Sequence, residues 1–298
     1  MSGEKDHRLR RLADLMLVAV TLFWGMSFAA IKDALNAVEV SNLLFIRFSL
    51  ASLVLLPLAV SRWKKFQVRV VAPGLVCGSF LALAFLTQAL GLMYTTASRS
   101  GFITGLNVIL VPLFTIFLFR KMPGKAALLG AGLAFLGLYF LTSADQSSGI
   151  PFNRGDAWTL ACAFFVAGHI LLVGRFSPGQ DHFWLTFIQF LAIAGAGAIW
   201  AGVQGEIKLV LPWSALGEIA FLAVFCTVCA FWTQTWAQQY TTPTRTALIF
   251  TMEPVFATFF AWLWLGETLG LWGWVGAALI LAGILLAELR PKSWSVDH

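Results

Sequence analysis

Arg47, His169 and Glu253 are ionisable side chains well inside long apolar stretches of this chain. A charge at such a position is costly, so each side chain must face other protein groups or water. Arg47 could bind a carboxylate, and His169 could carry a proton near neutral pH. Glu253, directly before Pro254, could carry a proton or pair with a cation. Each could instead be a structural hydrogen-bonding residue, Glu253 beside Arg245, and the sequence leaves both interpretations open.

Uncharged polar residues recur in the same apolar stretches and suggest a binding cavity. Side-chain amides are too polar to face lipid, so they either line a cavity or hold helices together. Trp24 with nearby hydroxyl and amide groups would suit an amphiphilic substrate. The predicted substrate-binding or cavity-lining residues are Trp24, Ser27, Arg47, Gln88, Thr104, Asn107, His169, Gln189, Gln234 and Glu253.

Recognisable catalytic and metal-binding motifs are missing from the sequence. Cys226 and Cys229 form a CxxC, but they have no partner ligands, and we interpret both as small apolar residues. There is no phosphate-binding loop and no H-E-x-x-H sequence. We therefore expect no metal, no other cofactor and no enzymatic activity.

The composition indicates that a lipid bilayer is the solvent of this protein. Of its 298 residues, 59% are hydrophobic and 11% are charged, against about 25% charged residues in soluble domains. The mean hydropathy is +0.82. Basic residues that flank apolar segments account for the net charge of +6, so we expect no nucleic-acid partner.

Ten apolar segments are long enough to cross about 30 Å of hydrocarbon as helices. Most of the 20 Lys and Arg residues then fall on the side of both termini, which the positive-inside rule places in the cytoplasm. The predicted location is the cytoplasmic (inner) membrane. The segments fall at about 12–32, 41–60, 71–92, 100–119, 125–143, 156–174, 183–203, 215–237, 246–265 and 268–288.

A twenty-residue sequence occurs twice, at 84–103 and 230–249, with nine identical positions, where chance would give about two. The match continues at the same spacing of 146 residues, for example at Gly130 and Gly276. Matches that lie upstream of the loop following the seventh segment have a spacing of 142 residues, as between Asp14 and Asp156. We call positions related by these spacings twin positions. They indicate an internal duplication.

The duplication predicts an all-α integral membrane protein of ten helices, in two five-helix repeats around a central cavity. Because five is odd, the second repeat would be inverted in the membrane, an arrangement that suits alternating access. The twins Arg99 and Arg245, with Tyr94 and Tyr240, would flank gates on opposite sides. The predicted organisation is a cytoplasmic tail at 1–11, a repeat at 12–143, a linker at 144–155, a repeat at 156–288 and a cytoplasmic tail at 289–298.

Several short motifs occur in a specific order along residues 12–288. They are Phe23-Trp24-Gly25-Met26-Ser27-Phe28, Arg47-Phe48, Tyr94-Thr95-Thr96-Ala97-Ser98, Glu253-Pro254, Leu265-Gly266-Glu267 and the stretch 276–283. Together they resemble the drug/metabolite transporter superfamily, EamA type. That resemblance implies ten helices with cytoplasmic ends and movement of small metabolites, often efflux of amino acids. The family's Gly-Glu before the fifth helix is replaced by Arg120-Lys121 in the first half.

The expected function is secondary transport of small organic metabolites, such as amino acids or related amphiphilic compounds, by alternating access and in the direction of export. Multidrug or toxic-compound efflux, a channel and a membrane-embedded enzyme are the alternatives. The expected partners are a small-molecule substrate and the bilayer, with the chain as a monomer or a loose homodimer.

Overall fold

The computed structural model describes residues 2–119, 125–143, 152–205, 207 and 213–288, and every regular element among them is helical. The first half contains α1 (Ser2–Ala34), α2 (Val40–Ser61), α3 (Val71–Leu92), α4 (Ala97–Gly105), α5 (Asn107–Phe119) and α6 (Lys125–Ser143). The second half contains α7 (Arg154–Phe176), α8 (His182–Gln204), α9 (Trp213–Ala223), α10 (Ala230–Ala237), α11 (Pro243–Ile249), α12 (Glu253–Leu265) and α13 (Leu271–Glu288). A π-helical segment, Val224–Cys229, joins α9 to α10, and 3₁₀ turns occupy Trp63–Lys65, Val68–Val70 and Phe250–Met252.

The helices make this a multi-pass membrane protein. Within the described residues, seven helical stretches are long and apolar enough to cross a membrane. The predicted segment at about 100–119 corresponds to α4 and α5, the one at 125–143 to α6, and the one at 268–288 to α13. These three segments are helical, but they are not among the seven. The seven stretches are Arg8–Ala34, Val40–Ser61, Val68–Leu92, Arg154–Phe176, His182–Gln204, Ala215–Ala237 and Arg245–Leu265.

The residues before the first predicted segment are helical. Residues 2–11, predicted as a tail, form the first turns of α1, because the helix formers Glu, Lys, Arg and Leu dominate this stretch and no proline interrupts it. The C-terminal tail 289–298, positions 144–151 of the linker, and Arg120 with Lys121 lie outside the described residues.

Two predicted continuous segments are broken at twin positions. In the first half α5 begins at Asn107, directly after the break at Leu106, and in the second half α12 begins at its twin Glu253. The helices before the breaks also begin at twins, α4 at Ala97 and α11 at Pro243. Broken helices leave backbone groups without helical partners at mid-depth, which is tolerated where they are buried in protein or line a cavity.

Helices α4 and α11 also begin with the same cap. The hydroxyl of Thr96 accepts a hydrogen bond from the Arg99 N–H at 3.1 Å, and the hydroxyl of Thr242 accepts one from the Arg245 N–H at 3.2 Å. Threonine is a favoured residue at this position because its oxygen satisfies an N–H that has no partner within the helix. The cap therefore fixes each arginine in the first turn of its helix.

Glycine contacts show how the two halves meet. A Cβ on Gly137 of α6 would lie 2.6 Å from the carbonyl oxygen of Gly276 in α13, and a Cβ on Gly283 would lie 2.5 Å from that of Gly130. Gly137 and Gly283 are twins, and so are Gly130 and Gly276. The same contact therefore occurs twice, with the two halves exchanged. Since the later residue of α6 meets the earlier residue of α13, the two helices run antiparallel.

Candidate functional site

A cavity of about 50 Å³ lies between α1, α3 and α4 of the first half and α7, α10 and α12 of the second. The first half contributes Trp24, Ser27, Leu81, Ala84, Phe85, Gln88 and Thr104, and the second half contributes Val166, His169, Ile170, Phe231, Gln234, Phe250 and Glu253.

The cavity lining follows the sequence duplication. Ten of the lining residues form five twin pairs, so each half supplies the same five structural positions. Two pairs are identical residues, Phe85 with Phe231 and Gln88 with Gln234. The other three, whose residues differ, are Trp24 with Val166, Ser27 with His169, and Thr104 with Phe250.

The structure brings seven of the ten predicted cavity residues together around this cavity. They come from six helices spread over the whole chain. The seven are Trp24, Ser27, Gln88, Thr104, His169, Gln234 and Glu253, while Arg47, Asn107 and Gln189 do not line it.

Arg47 lies behind the cavity wall. Its guanidinium carbon is 4.6 Å from the centre of the Phe85 ring, a cation–π distance, and its Nε donates to the Thr227 hydroxyl at 2.8 Å. Thr227 belongs to the π-helical segment and donates to the Leu222 carbonyl at 2.8 Å. Arg47 therefore joins α2 to an irregular part of the second half, which agrees with the structural interpretation of this residue.

Gln189 positions a cavity residue instead of lining the cavity. Its Oε1 lies 2.8 Å from Nε2 of His169, and its Nε2 donates to the Leu185 carbonyl at 3.1 Å. Because the second bond fixes which end of the amide faces the ring, Nε2 of His169 must be the donor. His169 is thereby held in one ring orientation against the cavity.

Asn107 turns away from the cavity and stabilises the helix break. Its Nδ2 donates to the Thr104 carbonyl at 2.8 Å, and the residue is fully buried. Thr104 lies in the last turn of α4, and its carbonyl also accepts from a backbone N–H at the end of that helix. The amide thus adds a second bond at the break, whereas its twin Glu253 lines the cavity.

Glu253 is buried, with 6% of its surface exposed, at the first residue of α12. Within the described chain its carboxylate has no hydrogen bond or ion pair. Arg245, considered above as its neighbour, pairs with Asp14. Glu253 therefore presents an uncompensated carboxyl group to the cavity.

The other polar side chains that line the cavity use only part of their hydrogen-bonding capacity. Nε1 of Trp24 donates to the Cys226 carbonyl at 3.1 Å, and the Ser27 hydroxyl donates to the Trp24 carbonyl at 2.7 Å. Nε2 of Gln234 donates to Gln238 at 3.1 Å. Serine and glutamine keep acceptor capacity beyond these bonds, so the lining can still bind a polar group.

Arg99 forms a buried ion pair with Asp156, the first-turn acid of α7. The side chains are only 2% and 0% exposed. The Thr95 hydroxyl donates to Asp156 at 2.6 Å, and the Asn153 backbone N–H donates to it at 3.1 Å. An ion pair with this many additional bonds offsets the cost of burying its charges.

The twin residues form a twin ion pair in a different environment. Arg245 pairs with Asp14 through two nitrogens, with its Nε 3.0 Å from Oδ1. Here the side chains are 62% and 17% exposed. The hydroxyl of Thr241, the twin of Thr95, has no hydrogen-bond partner within the part of the chain described. One pair is sealed by protein, and the other is open to solvent.

The ion pairs lie on opposite sides of the cavity. Along α1, Asp14 and the cavity residue Ser27 are about 20 Å apart. Further along, Lys32 donates to the Thr95 carbonyl at 2.7 Å, which places that end of α1 beside the Arg99 pair. The cavity is therefore enclosed between two interactions that each join the two halves.

A second acid, Glu267, makes further contacts on the side of the buried Arg99–Asp156 pair. Glu267 accepts from the N–H groups of Ala97 and Ser98 at 3.1 Å each, and it pairs with Lys32 at 3.2 Å. It thereby satisfies the first turn of α4 from the other half of the chain.

The two tyrosines have different neighbours. Tyr94 lies near the buried pair, with the Arg154 guanidinium carbon 3.5 Å from its ring centre, and Tyr240 packs against Trp236 at 5.2 Å between ring centres.

The acidic partners of Arg99 and Arg245 are missing from the predicted site. The twin spacing of Asp14 and Asp156 was the only available signal for them.

The pattern of the EamA-like transporter family matches residues 11–143 and again residues 153–289. The chain belongs to this family. An uncharacterized transporter of Archaeoglobus fulgidus is 33% identical over 94% of this chain and 87% of its own length. The uncharacterized inner membrane transporter YhbE of Escherichia coli is 24% identical, with 94% and 92% covered. A protein of known crystal structure shares the fold, with a TM-score of 0.70 at 20% identity over 94% of this chain and 97% of the other.

Proposed function

We propose that this protein is a secondary transporter that moves small organic metabolites, amino acids or related amphiphilic compounds, by alternating access. The cavity carries the proposal, because five pairs of its lining residues occupy twin positions in the two halves. Transporters with internal repeats hold their substrates at the interface of the repeats. The proposed setting is the cytoplasmic membrane, and export follows from the family resemblance.

The proposed topology has ten membrane-spanning segments in two inverted sets of five, with both termini in the cytoplasm. In this arrangement α4 continues into α5, α9 into α10, and α11 into α12, each pair as one broken segment. The antiparallel contact between α6 and α13 supports inversion, because these helices are twins and would run in the same direction in a non-inverted repeat. A monomer is sufficient as the transporting unit, since one chain encloses the cavity.

The two twin ion pairs are the proposed gates, with Tyr94 and Tyr240 beside them. Each pair joins an arginine of one half to an aspartate of the other. Rocking of one half against the other would open one pair and bury its twin. In the proposed topology the buried Arg99–Asp156 pair closes the outer side, and the exposed Arg245–Asp14 pair lies on the cytoplasmic side.

Counterflow into reconstituted liposomes tests this proposal. Vesicles loaded with one unlabelled solute at a time, from a panel of amino acids, amines and purines, should accumulate the same labelled solute faster than empty vesicles do. Ser27→Trp, which fills the cavity, should abolish the flux. Ser79→Trp adds the same side chain at an exposed site of α3 and should preserve it. If no solute enters faster than in protein-free vesicles and none binds the purified protein, the proposal is wrong.

A further inference from the structure

The cavity has one ionisable group that is without compensation. Its lining contains no lysine or arginine, and its two ionisable residues are His169 and Glu253. His169 is held by Gln189, whereas the Glu253 carboxylate has no partner within the described residues. An ionised acid without a protein partner is costly to bury, and either a proton or a bound cation removes this cost.

The acids on either side of the cavity are compensated, which distinguishes them from Glu253. Asp156 is paired with Arg99, and Asp14 with Arg245. Glu267 is bonded to Lys32 and to the first turn of α4. The chain therefore supplies partners to acids at both ends and leaves the one inside the cavity exposed to a ligand.

Four aromatic rings line the same cavity as Glu253. Trp24 lies 5.0 Å from Phe231 and 4.8 Å from Phe250 between ring centres, and Phe85 lies 5.7 Å from Phe231. Aromatic ring faces attract cations, tryptophan most strongly, and the attraction increases where water is excluded. Rings around an uncompensated carboxylate therefore favour an organic cation with an apolar body.

The same lining disfavours an anionic group. The buried Arg47 is not part of the lining; it lies behind Phe85 and donates to Thr227 through its Nε. A substrate carboxylate would therefore meet Glu253 without a guanidinium or ammonium among the lining residues. Hydroxyls and amides such as Gln88 can bind a neutral polar group but cannot neutralise an anion.

We propose that the cavity binds a protonated amine with an apolar or aromatic body and no carboxylate, with Glu253 as its counter-ion. This inference rests on the proposed transport function and narrows its substrate class. The ammonium group would occupy the space beside Glu253, and the body would contact Trp24, Phe231 and Phe250.

Three probes of the same shape test the charge requirement on purified wild-type protein. Phenethylamine is a cation, phenylalanine adds a carboxylate to it, and 3-phenylpropionate is an anion. We expect thermal stabilisation and counterflow with phenethylamine, at concentrations at least tenfold lower than for the other two. This comparison needs no variant, so it stands even if a cavity mutant fails to fold.

The variant Glu253→Gln keeps the size of the side chain and removes its charge. It should weaken phenethylamine binding at least about tenfold, because hydrogen bonds to charged groups are the stronger class. Glu218→Gln, which removes a carboxylate from α9 outside the cavity lining, should bind as the wild type does.

Equal binding of phenethylamine and phenylalanine, or equal losses in the two variants, would overturn the amine proposal. Counterflow of another solute class without any amine would overturn it too, and would leave the transport function intact. Absence of flux for every class would overturn both.

Discussion

Arg99 and Arg245 are identical residues at twin positions, yet their surroundings give their ion pairs different strengths. The Arg99–Asp156 pair is sealed from solvent, and the Arg245–Asp14 pair is largely exposed. Breaking a buried pair leaves an uncompensated charge in the interior and costs about 3–5 kcal/mol. An exposed pair contributes about 0–1 kcal/mol.

We therefore expect Asp156→Asn to lower the thermal stability of the purified protein strongly, by about 3–5 kcal/mol. Its matched control, Asp14→Asn, makes the same change in the exposed pair and should cost at most about 1 kcal/mol. Unfolding in detergent, followed by intrinsic fluorescence, measures both. Equal losses would mean that the difference in burial has no energetic effect.

Residue type alone predicts only part of the cavity lining. Seven predicted cavity residues meet in one cavity because polar groups in apolar helices have few places to go. Arg47 and Gln189 are also polar, but they bond to Thr227 and His169 within the wall. The partner of Arg47 is 180 positions away. Side-chain type cannot distinguish a lining residue from one directly behind it.

At the scale of elements, close helix contacts depend on glycine. A Cβ on Gly101 of α4 would lie 2.6 Å from the Ala257 Cβ of α12, and one on Gly105 would lie 2.8 Å from Pro254. These contacts bring α12, which carries Glu253, against α4, which carries Thr104. The cavity therefore depends on the absence of side chains at these two positions.

Gly101→Ala should separate α4 from α12 and destabilise the protein by about 1–3 kcal/mol, the usual cost of overpacking. Gly132→Ala in α6 is the matched control, since nothing lies within 4 Å of a Cβ there. It should be neutral or stabilise by up to about 1 kcal/mol through helix propensity. Melting temperatures in detergent compare the two, and a loss in Gly132→Ala as large as in Gly101→Ala would contradict this account.

Helix breaks are less predictable from sequence than the helices themselves. The helical segments follow from apolar length, but the break at Leu106 has no proline directly after it, and Gly105 before it is a weak signal, since isolated glycines are tolerated in helices. The corresponding break before Glu253 had a signal in Pro254. The π-helical segment likewise depends on Thr227, which receives a bond from Arg47 and donates to Leu222. Breaks of this kind are selected by tertiary contacts, which local sequence does not encode.

At the scale of the whole molecule, the twin ion pairs should act in opposition. Arg99→Ala removes the closure on the proposed outer side, and Arg245→Ala removes the one on the cytoplasmic side. The first change should favour the outward-open state, and the second the inward-open state, because each loses contacts specific to one state.

A cysteine in the cavity reports this equilibrium. In a Cys229→Ser background, which removes the exposed native thiol, Ser27→Cys can be labelled from outside with a membrane-impermeant maleimide. We expect faster labelling with Arg99→Ala and slower labelling with Arg245→Ala than in the parent. Changes in the same direction would assign the arginines to packing and not to gating.

The unequal exposure of the ion pairs should make one of them sensitive to electrolyte and the other not. At physiological ionic strength mobile ions screen exposed charges over about 8 Å, whereas a buried pair is screened much less. Arg245 and Asp14 are in contact with the solution, and Arg99 and Asp156 are not. If the two pairs act as the proposed gates, rising salt in the compartment that bathes Arg245 should weaken one closure and leave the other unchanged. The ionic strength of that compartment should then bias which way the cavity opens.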